Sequence, residues 1–295
     1  MTTFKYTPRL PFRLVQAATV SVFLARAWQH LHWDAPYRAL FWDEAWMKGL
    51  VEPTLGITWR AYVTSPQTDA FIQTLIVGTG WLYLVCALAA LFVNRLGRVG
   101  RVLLWVGAAN LFFLAGLYCK EKFFFIGQFF EYTLQWGTPI MLAILAKGPE
   151  KPWAARFVFF VKIAIALTFT CHGLYAVGFY PRPGNFLEMV MNILPVYETG
   201  AIHFLNTAGI LDFLLSLALF LPGRWPLGAL AYATFWGLAT SLARVWAYFH
   251  WAYWDSALIQ WLHETVMRFP HFLVPLALLI YFKMNAVTAP KSPPS

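Results

Sequence analysis

AFIQTLIVGTGWLYLVCALAALFV, residues 70 to 93, runs for 24 residues without a charge. About 20 apolar residues suffice to carry a helix across the hydrocarbon core of a bilayer. This stretch therefore predicts a membrane span. Working outward from it, windows of similar size mark seven more, at 14–33, 102–119, 123–146, 157–179, 203–221, 226–249 and 258–282. The windows at 123–146 and 258–282 carry interior charges and score lower by hydropathy alone. The fold class read from the sequence is all-α: a polytopic membrane bundle of about eight transmembrane helices.

Composition points the same way. The chain of 295 residues is 60% hydrophobic and 12% charged, with mean hydropathy +0.58. A soluble domain carries about 25% charge, so a bilayer is the expected solvent and lipid the first partner. Its 15 Trp suit a protein with many membrane–water interfaces. A net charge of +9 raises nucleic acid as a partner, but the Lys and Arg lie between apolar runs rather than on one soluble face, which argues against it. Cys86, Cys119 and Cys171 show no CxxC spacing, so no disulfide framework is expected. No cleavable signal is read at the N-terminus, and the first span is expected to stay attached.

Loop charges orient the bundle. With the N-terminus cytoplasmic, one side collects twelve Lys and Arg, among them Lys5, Arg9, Arg13, Arg95, Lys147, Lys151, Arg224 and Lys291. The other side collects six: Arg38, Lys48, Arg60, Lys120, Lys122 and Arg182. The excess marks the cytoplasmic face and places both termini there.

The chain also resembles itself. At an offset of 144, Arg38 meets Arg182, Trp42 meets Phe186, Glu44 meets Glu188 and Met47 meets Met191. GWLYLVCALAALF from Gly80 is similar to GILDFLLSLALF from Gly209, and Glu131, Gln135 and Thr138 recur at offset 133 as Glu264, Arg268 and His271. Two parallel four-helix units are expected, 1–146 and 147–286, with amphipathic outer excursions at 34–69 and 180–202, then a disordered tail at 287–295.

Polar residues inside spans are costly and so informative. Arg26, Gln29, His172, Arg244, Glu131, His203, His263, Glu264 and Arg268 all fall in the outward halves of their spans, with Asp212 and His271 nearer the middle. A polar cavity opening outward is expected, roofed by the excursions with Glu44 and Glu188. In HETVMRFPH, Glu264, Arg268 and His271 share one helical stripe. The structural reading is a self-neutralising Glu264–Arg268 pair. The functional one is an anion or quinone-carbonyl site. Pro270 should free a carbonyl and bend this helix.

His172 stands alone in an apolar span beside Gly173, with Gln29 in its place at offset 143. A lone buried His is often core. As the titratable member of the pair it is also the candidate acid or base. Asp212 is expected to pair with Arg244, and nine residues separate it from His203, so those two do not share a face. His30 and His32 read as interface residues. The candidate catalytic residues are thus His172 and Glu264. The candidate ligand-binding residues are Arg268, His271, His203, Asp212, Arg244, Glu188 and His263. No HxxxH or HExxH spacing exists, so no metal site is assigned, and metal or haem is not expected. No phosphate loop, nucleophile elbow or dinucleotide fingerprint is present.

His172-Gly173, the excursion to Met191, FLNTAGILDFLLSLALF from Phe204, and Glu264 together resemble the DoxX-like membrane proteins. The likeness covers 157–282 best and the first half weakly, and the chain departs from the simple family member in holding two units. The resemblance implies a bacterial inner-membrane protein, sometimes linked to quinone-dependent sulfur oxidation, with His172, Asp212 and Glu264 around an inner cavity. Three functions follow as expectations. The first is binding of a quinone-like or small anionic ligand in a redox-linked process, with quinone as cofactor and an electron-transfer protein as partner. The second is a transporter or lipid-handling protein. The third is an enzyme resembling the γ-carboxylase-like transmembrane family with His or Lys as base, for which Lys120 and Lys122 lie too near the surface.

Overall fold

A computed structural model describes residues 9–146 and 153–288, with side chains through residue 284. Lys5, Lys147, Lys151 and Lys291 lie outside the described residues. Among the described residues every regular element is a helix.

The first half begins with α1 (Leu10–His32), whose first turn carries Pro11, where a missing N–H costs nothing. The excursion expected at 34–69 folds as α2 (Arg38–Phe41), α3 (Glu44–Leu55) and α4 (Trp59–Thr64). Local chemistry sets these boundaries. The Asp43 carboxylate accepts from the Trp46 N–H to cap α3, and Gly56 at φ 66° ends it. Then come α5 (Pro66–Leu91) and α6 (Val93–Glu121), kinked where Gly97 takes φ 56°. The half closes with α7 (Ile126–Glu131) and α8 (Thr133–Leu145), broken at Tyr132.

The second half runs α9 (Ala155–Ala176), α10 (Gly184–Ile193) in the excursion at 180–202, α11 (Glu198–Ala218) and α12 (Trp225–Tyr248). A single 3-10 turn (Trp251–Tyr253) leads into α13 (Trp254–Val266) and α14 (Pro270–Thr288). The bend expected at Pro270 is present, at 41° between the two helices. α14 includes residues 287 and 288, which the sequence reading had placed in the tail; 289–295 lie outside the described residues.

This is a membrane protein by length and apolarity. α5, α6, α9 and α11 are each long and apolar enough to cross a membrane, and α13 with α14 qualifies as a fifth, bent span. Their outer faces expose Trp81, Leu88, Val99, Phe160 and Leu217, which water would not favour. The other three expected segments fall short of that apolarity for visible reasons. α1 carries Arg13, Gln16, Arg26, Gln29 and two His, α12 carries Arg244 among Trp, Tyr and Gly, and the α7–α8 segment is broken into short pieces.

A few helix pairs carry most of the packing. α1 lies on α5 and on α14, while α9 lies on α11 and on α7; α6 packs on α8 as α12 packs on α14. Two glycines let the first pairs approach. A Cβ on Gly80 would stand 3.1 Å from His30 Cβ, and one on Gly209 would stand 2.9 Å from the Gly173 carbonyl oxygen. A shared apolar core of Val22, Phe23, Cys86, Leu104, Leu134, Leu142, Ile165, Leu215, Leu230 and Leu278 fills the centre.

Candidate functional site

A cavity of about 340 Å³ lies in the second half, between α9, α10, α11, α12 and α14. That is within the ~300–1,000 Å³ range of small-molecule sites. Its walls are apolar and aromatic. α10 contributes Phe186, Met189, Val190 and Ile193, which share one stripe at helical spacing. α11 adds Phe204 and Leu205, and α12 adds Trp236 and Trp246. The polar groups reaching the cavity are Glu131, His172, Thr240, Arg244, Arg268 and His271.

Each polar group has a position set by its helix. On α11, Leu205, Gly209 and Asp212 recur at i, i+4 and i+7, so the same stripe that packs on α9 carries Asp212. The close passage at Gly173 and Gly209 brings the carboxylate to His172, with Nδ1 to Oδ2 at 3.1 Å. Asp212 is wholly buried, and its Oδ1 accepts no hydrogen bond from any described residue. With Asp212 ionised, the imidazole Nδ1–H donates to it, leaving Nε2 as the ring nitrogen available to a ligand.

The Arg244 guanidinium reaches Glu264 Oε2 at 3.0 Å, and Arg268 reaches the same oxygen at 3.5 Å and the Glu264 carbonyl at 2.8 Å. Two cations therefore share one carboxylate, which leaves N–H donors for an acceptor in the cavity. The His271 ring pairs through Nδ1 with the Arg268 carbonyl at 2.8 Å.

Six of the nine candidates thus converge: His172, Asp212, Arg244, Glu264, Arg268 and His271. The expected Asp212–Arg244 pair does not form, because α9 packs closer to that face of α11 than α12 does, and His172 takes the carboxylate. Three candidates lie elsewhere. His203, two residues and so about 200° around α11 from Leu205, is exposed. Glu188 sits off the lining stripe of α10 on the outer surface, where it accepts from the Tyr248 hydroxyl at 3.0 Å. His263, one residue before Glu264, is turned toward α1 and stacks on Trp33. His30 is not an interface residue either: it is fully buried, bonded through Nδ1 to the Arg26 carbonyl at 2.7 Å. Among the described residues no three His, Cys, Asp or Glu side chains are grouped to hold a metal ion.

Glu131, at the end of α7, and Thr240 are the polar cavity residues outside the candidate site residues read from the sequence, although Glu131 stands among its outward polar groups. The match of Glu131 to Glu264 at offset 133 was the available signal. Glu131 accepts from the Gln128 side-chain amide at 3.2 Å and enters the second half's cavity from the first half.

The first half has a polar centre of different make. Arg26, 2% exposed, donates to Gln29 Oε1 at 2.7 Å, to the Tyr118 hydroxyl at 3.3 Å and to Gln135 Oε1 at 2.6 Å. Its guanidinium carbon lies 5.2 Å from the ring centres of both Tyr118 and Tyr132.

No family model, no curated protein and no solved structure matches this chain.

Proposed function

We propose that this chain is a DoxX-like integral membrane protein of eight spans in two four-helix units, and that it binds a quinone-like ring or small anionic ligand through the ligand's acceptor oxygens. On this reading both termini face the cytoplasm across a bacterial inner membrane, and the cavity opens toward the outer leaflet.

Several observations support the two-unit reading. His30 faces Gly80 in the first half, and Gly173, its partner at offset 143, faces Gly209 in the second. The first helix of each half also packs on the broken last segment of the other. The weak hydropathy of α1, α12 and α7–α8 comes from residues turned inward, such as Arg26, Gln135 and Arg244, all buried.

The observation that carries the ligand class is the exchange of acceptors for donors. In the first half, Gln29 and Gln135 offer carbonyl oxygens to the Arg26 guanidinium. Their counterparts in the second half are His172 and Arg268, and Arg26 is replaced at offset 143 by Phe169. With His172 protonated, Nδ1–H on Asp212 and Nε2–H toward the cavity, both counterparts donate, and a site whose acceptors have become donors suits a carbonyl or carboxylate oxygen rather than a cation. The aromatic walls, Phe186, Trp236 and Trp246, suit a flat ring. His172 would then donate to, or accept a proton from, the bound oxygen through Nε2, backed by Asp212.

The test is direct. Protein purified in mild detergent is extracted with organic solvent and assayed for quinone, and its thermal unfolding is followed with and without an added short-chain quinone. Bound quinone, or an upward shift in unfolding temperature that Arg268→Gln removes, is the expected result. Recovery of no quinone together with no shift would overturn the reading.

A further inference from the structure

A second cavity, of about 420 Å³, lies at the opposite end of the bundle, where α1 begins, α5 ends and α6 begins. It is lined by Arg9, Arg13, Gln16, Phe92, Asn94 and Arg95, so three of its side chains are cationic and none is acidic. Neither Arg13 nor Arg95 has an ion-pair partner among the described residues; Arg95 rests over the Phe92 ring at 5.8 Å. The floor is already neutralised. Gln16 donates its side-chain amide to the Ala90 and Leu91 carbonyls at 2.9 and 3.0 Å, which quiets the negative end of α5. The 23-residue α1 has no side-chain cap, so its first amides add positive character to the arginines.

The surroundings are mostly of the same sign. The described helix ends on this side, residues 9–16, 88–101, 142–146, 153–160, 217–228 and 278–288, contain no Asp or Glu, and the sequence joining two of them, 147–152, holds Glu150 between Lys147 and Lys151. The rim toward the flank of the bundle is apolar: Leu91 is 51% and Phe92 41% exposed. A dianion in bulk water needs no such rim. A phosphate attached to acyl chains does.

We propose that this cavity is a binding site for the phosphate headgroup of an anionic phospholipid, held by Arg13 and Arg95, its chains lying over Leu91 and Phe92. Basic pockets between transmembrane helices at a membrane face take such headgroups, and the planar guanidinium pairs with phosphate through two parallel hydrogen bonds. The site is remote from the second-half cavity and does not depend on the ligand proposed there.

The full-length protein in a neutral detergent is titrated with phosphatidylglycerol, with phosphatidylcholine of the same chains, or with inorganic phosphate, and thermal unfolding is followed. Phosphatidylglycerol should raise the midpoint by about 3 °C or more beyond phosphatidylcholine, a response on the scale of ligand linkage in a chain of this size. R13Q/R95Q should lose at least half of that difference, the single R95Q part of it, and R156Q/R224Q, on the same face outside the cavity, none. Equal shifts with both lipids would overturn the proposal. So would an unchanged response in R13Q/R95Q, or an equal loss in R156Q/R224Q, which would mean a diffuse charge effect. An equal shift with inorganic phosphate would reassign the site to a free anion and overturn the lipid.

Discussion

The polar centre of the first half is filled, and that of the second is open. Arg26 occupies the first, held by Gln29, Gln135 and Tyr118 between two tyrosine rings. In the second, His172, Arg244 and Arg268 edge a cavity of about 340 Å³. Tyr83, bonded to Asn110 in the first half, stands at the sequence position matched by Asp212 in the second. A handful of side chains thus separates a core in which both terminal guanidinium nitrogens of Arg26 are bonded, and only its Nε is not, from a site that opens onto a cavity. The contrast teaches where to look for chemistry in a membrane bundle: not at every buried charge, but where the chain fails to complete its own hydrogen bonds.

The contrast breaks first at Arg26. Arg26→Met would leave the side-chain carbonyls of buried Gln135 and half-buried Gln29 without their donor, while the Tyr118 hydroxyl keeps the Gln29 amide at 2.6 Å, and should cost about 3 kcal/mol, or about 6–12 °C in unfolding temperature. Arg268→Met should cost only about 1 kcal/mol, because Glu264 keeps Arg244 at 3.0 Å. Thermal unfolding of the two variants compares them directly. Equal losses would mean that the second-half arginines are as structural as Arg26.

Next come the helix crossings. Gly209→Ala places a Cβ 2.9 Å from the Gly173 carbonyl oxygen and 2.6 Å from Val177 Cγ1, and backbone cannot step aside. A loss of about 2 kcal/mol is expected. Gly80→Ala meets the Leu31 side chain at 2.8 Å and the His30 Cβ at 3.1 Å, with no backbone carbonyl in the way, so its loss should be smaller, about 1 kcal/mol. Because Gly209 sets the distance between α9 and α11, its variant should also weaken any ligand response more than Gly80→Ala does.

The sequence made part of this legible. Apolar runs mark every long helix, and Pro270 marks the bend between α13 and α14, because a ring without an N–H leaves a carbonyl free. Helical spacing separates His203 from Asp212 correctly. The break at Tyr132 had no such marker. The partner of Asp212 was misread because register within one helix says nothing of which neighbour lies nearer; the choice between Arg244 and His172 is made by the glycine crossing. Glu131 was left out of the candidate site for a related reason. It belongs to the first half by position and to the second half's cavity by packing, and only the exchange of partners between α7 and α9 joins them.

A transplant sharpens the contrast with less effect on stability. His172→Gln gives the second half the first half's residue. Asp212 retains a hydrogen-bond donor in reach, so unfolding should fall by no more than about 1 kcal/mol. Ligand affinity should drop about tenfold, the worth of one good polar contact. Isothermal titration, or the quinone-induced shift in unfolding temperature, reads this. A variant that binds as well as the parent would remove His172 from the site while leaving the cavity in place.

The smallest effect separates the two excursions, of which 34–69, with Glu44 paired to Lys48, does not line the cavity and 180–202 does, through α10. The first is tied down by charge: the Lys120 ammonium donates to the Asp43 carboxylate at the start of α3, and Arg38 bridges Asp34 and Asp69 at 2.9 and 2.8 Å. The second is held at its start by the Arg182 guanidinium on the uncharged Asn206 side chain and the Ala176 carbonyl, at 2.8 and 3.0 Å. The Lys120 hydrogen bond holds the Asp43 carboxyl below its ordinary value of 3.8. A carboxyl with a depressed folded-state pKa contributes its stability above the unfolded value, near 4, and loses it as pH falls through the folded value. Acid should therefore loosen α3 before α10. Amide exchange, corrected for the intrinsic effect of pH, should show protection over 44–55 falling as pH drops below about 4 while 184–193 holds. Lys120→Met should lower protection of α3 at neutral pH and flatten this dependence, since no cation then distinguishes the ionised carboxylate. If both segments loosened together in acid, the difference between an ionic and a neutral tether would not be what sets the two excursions apart.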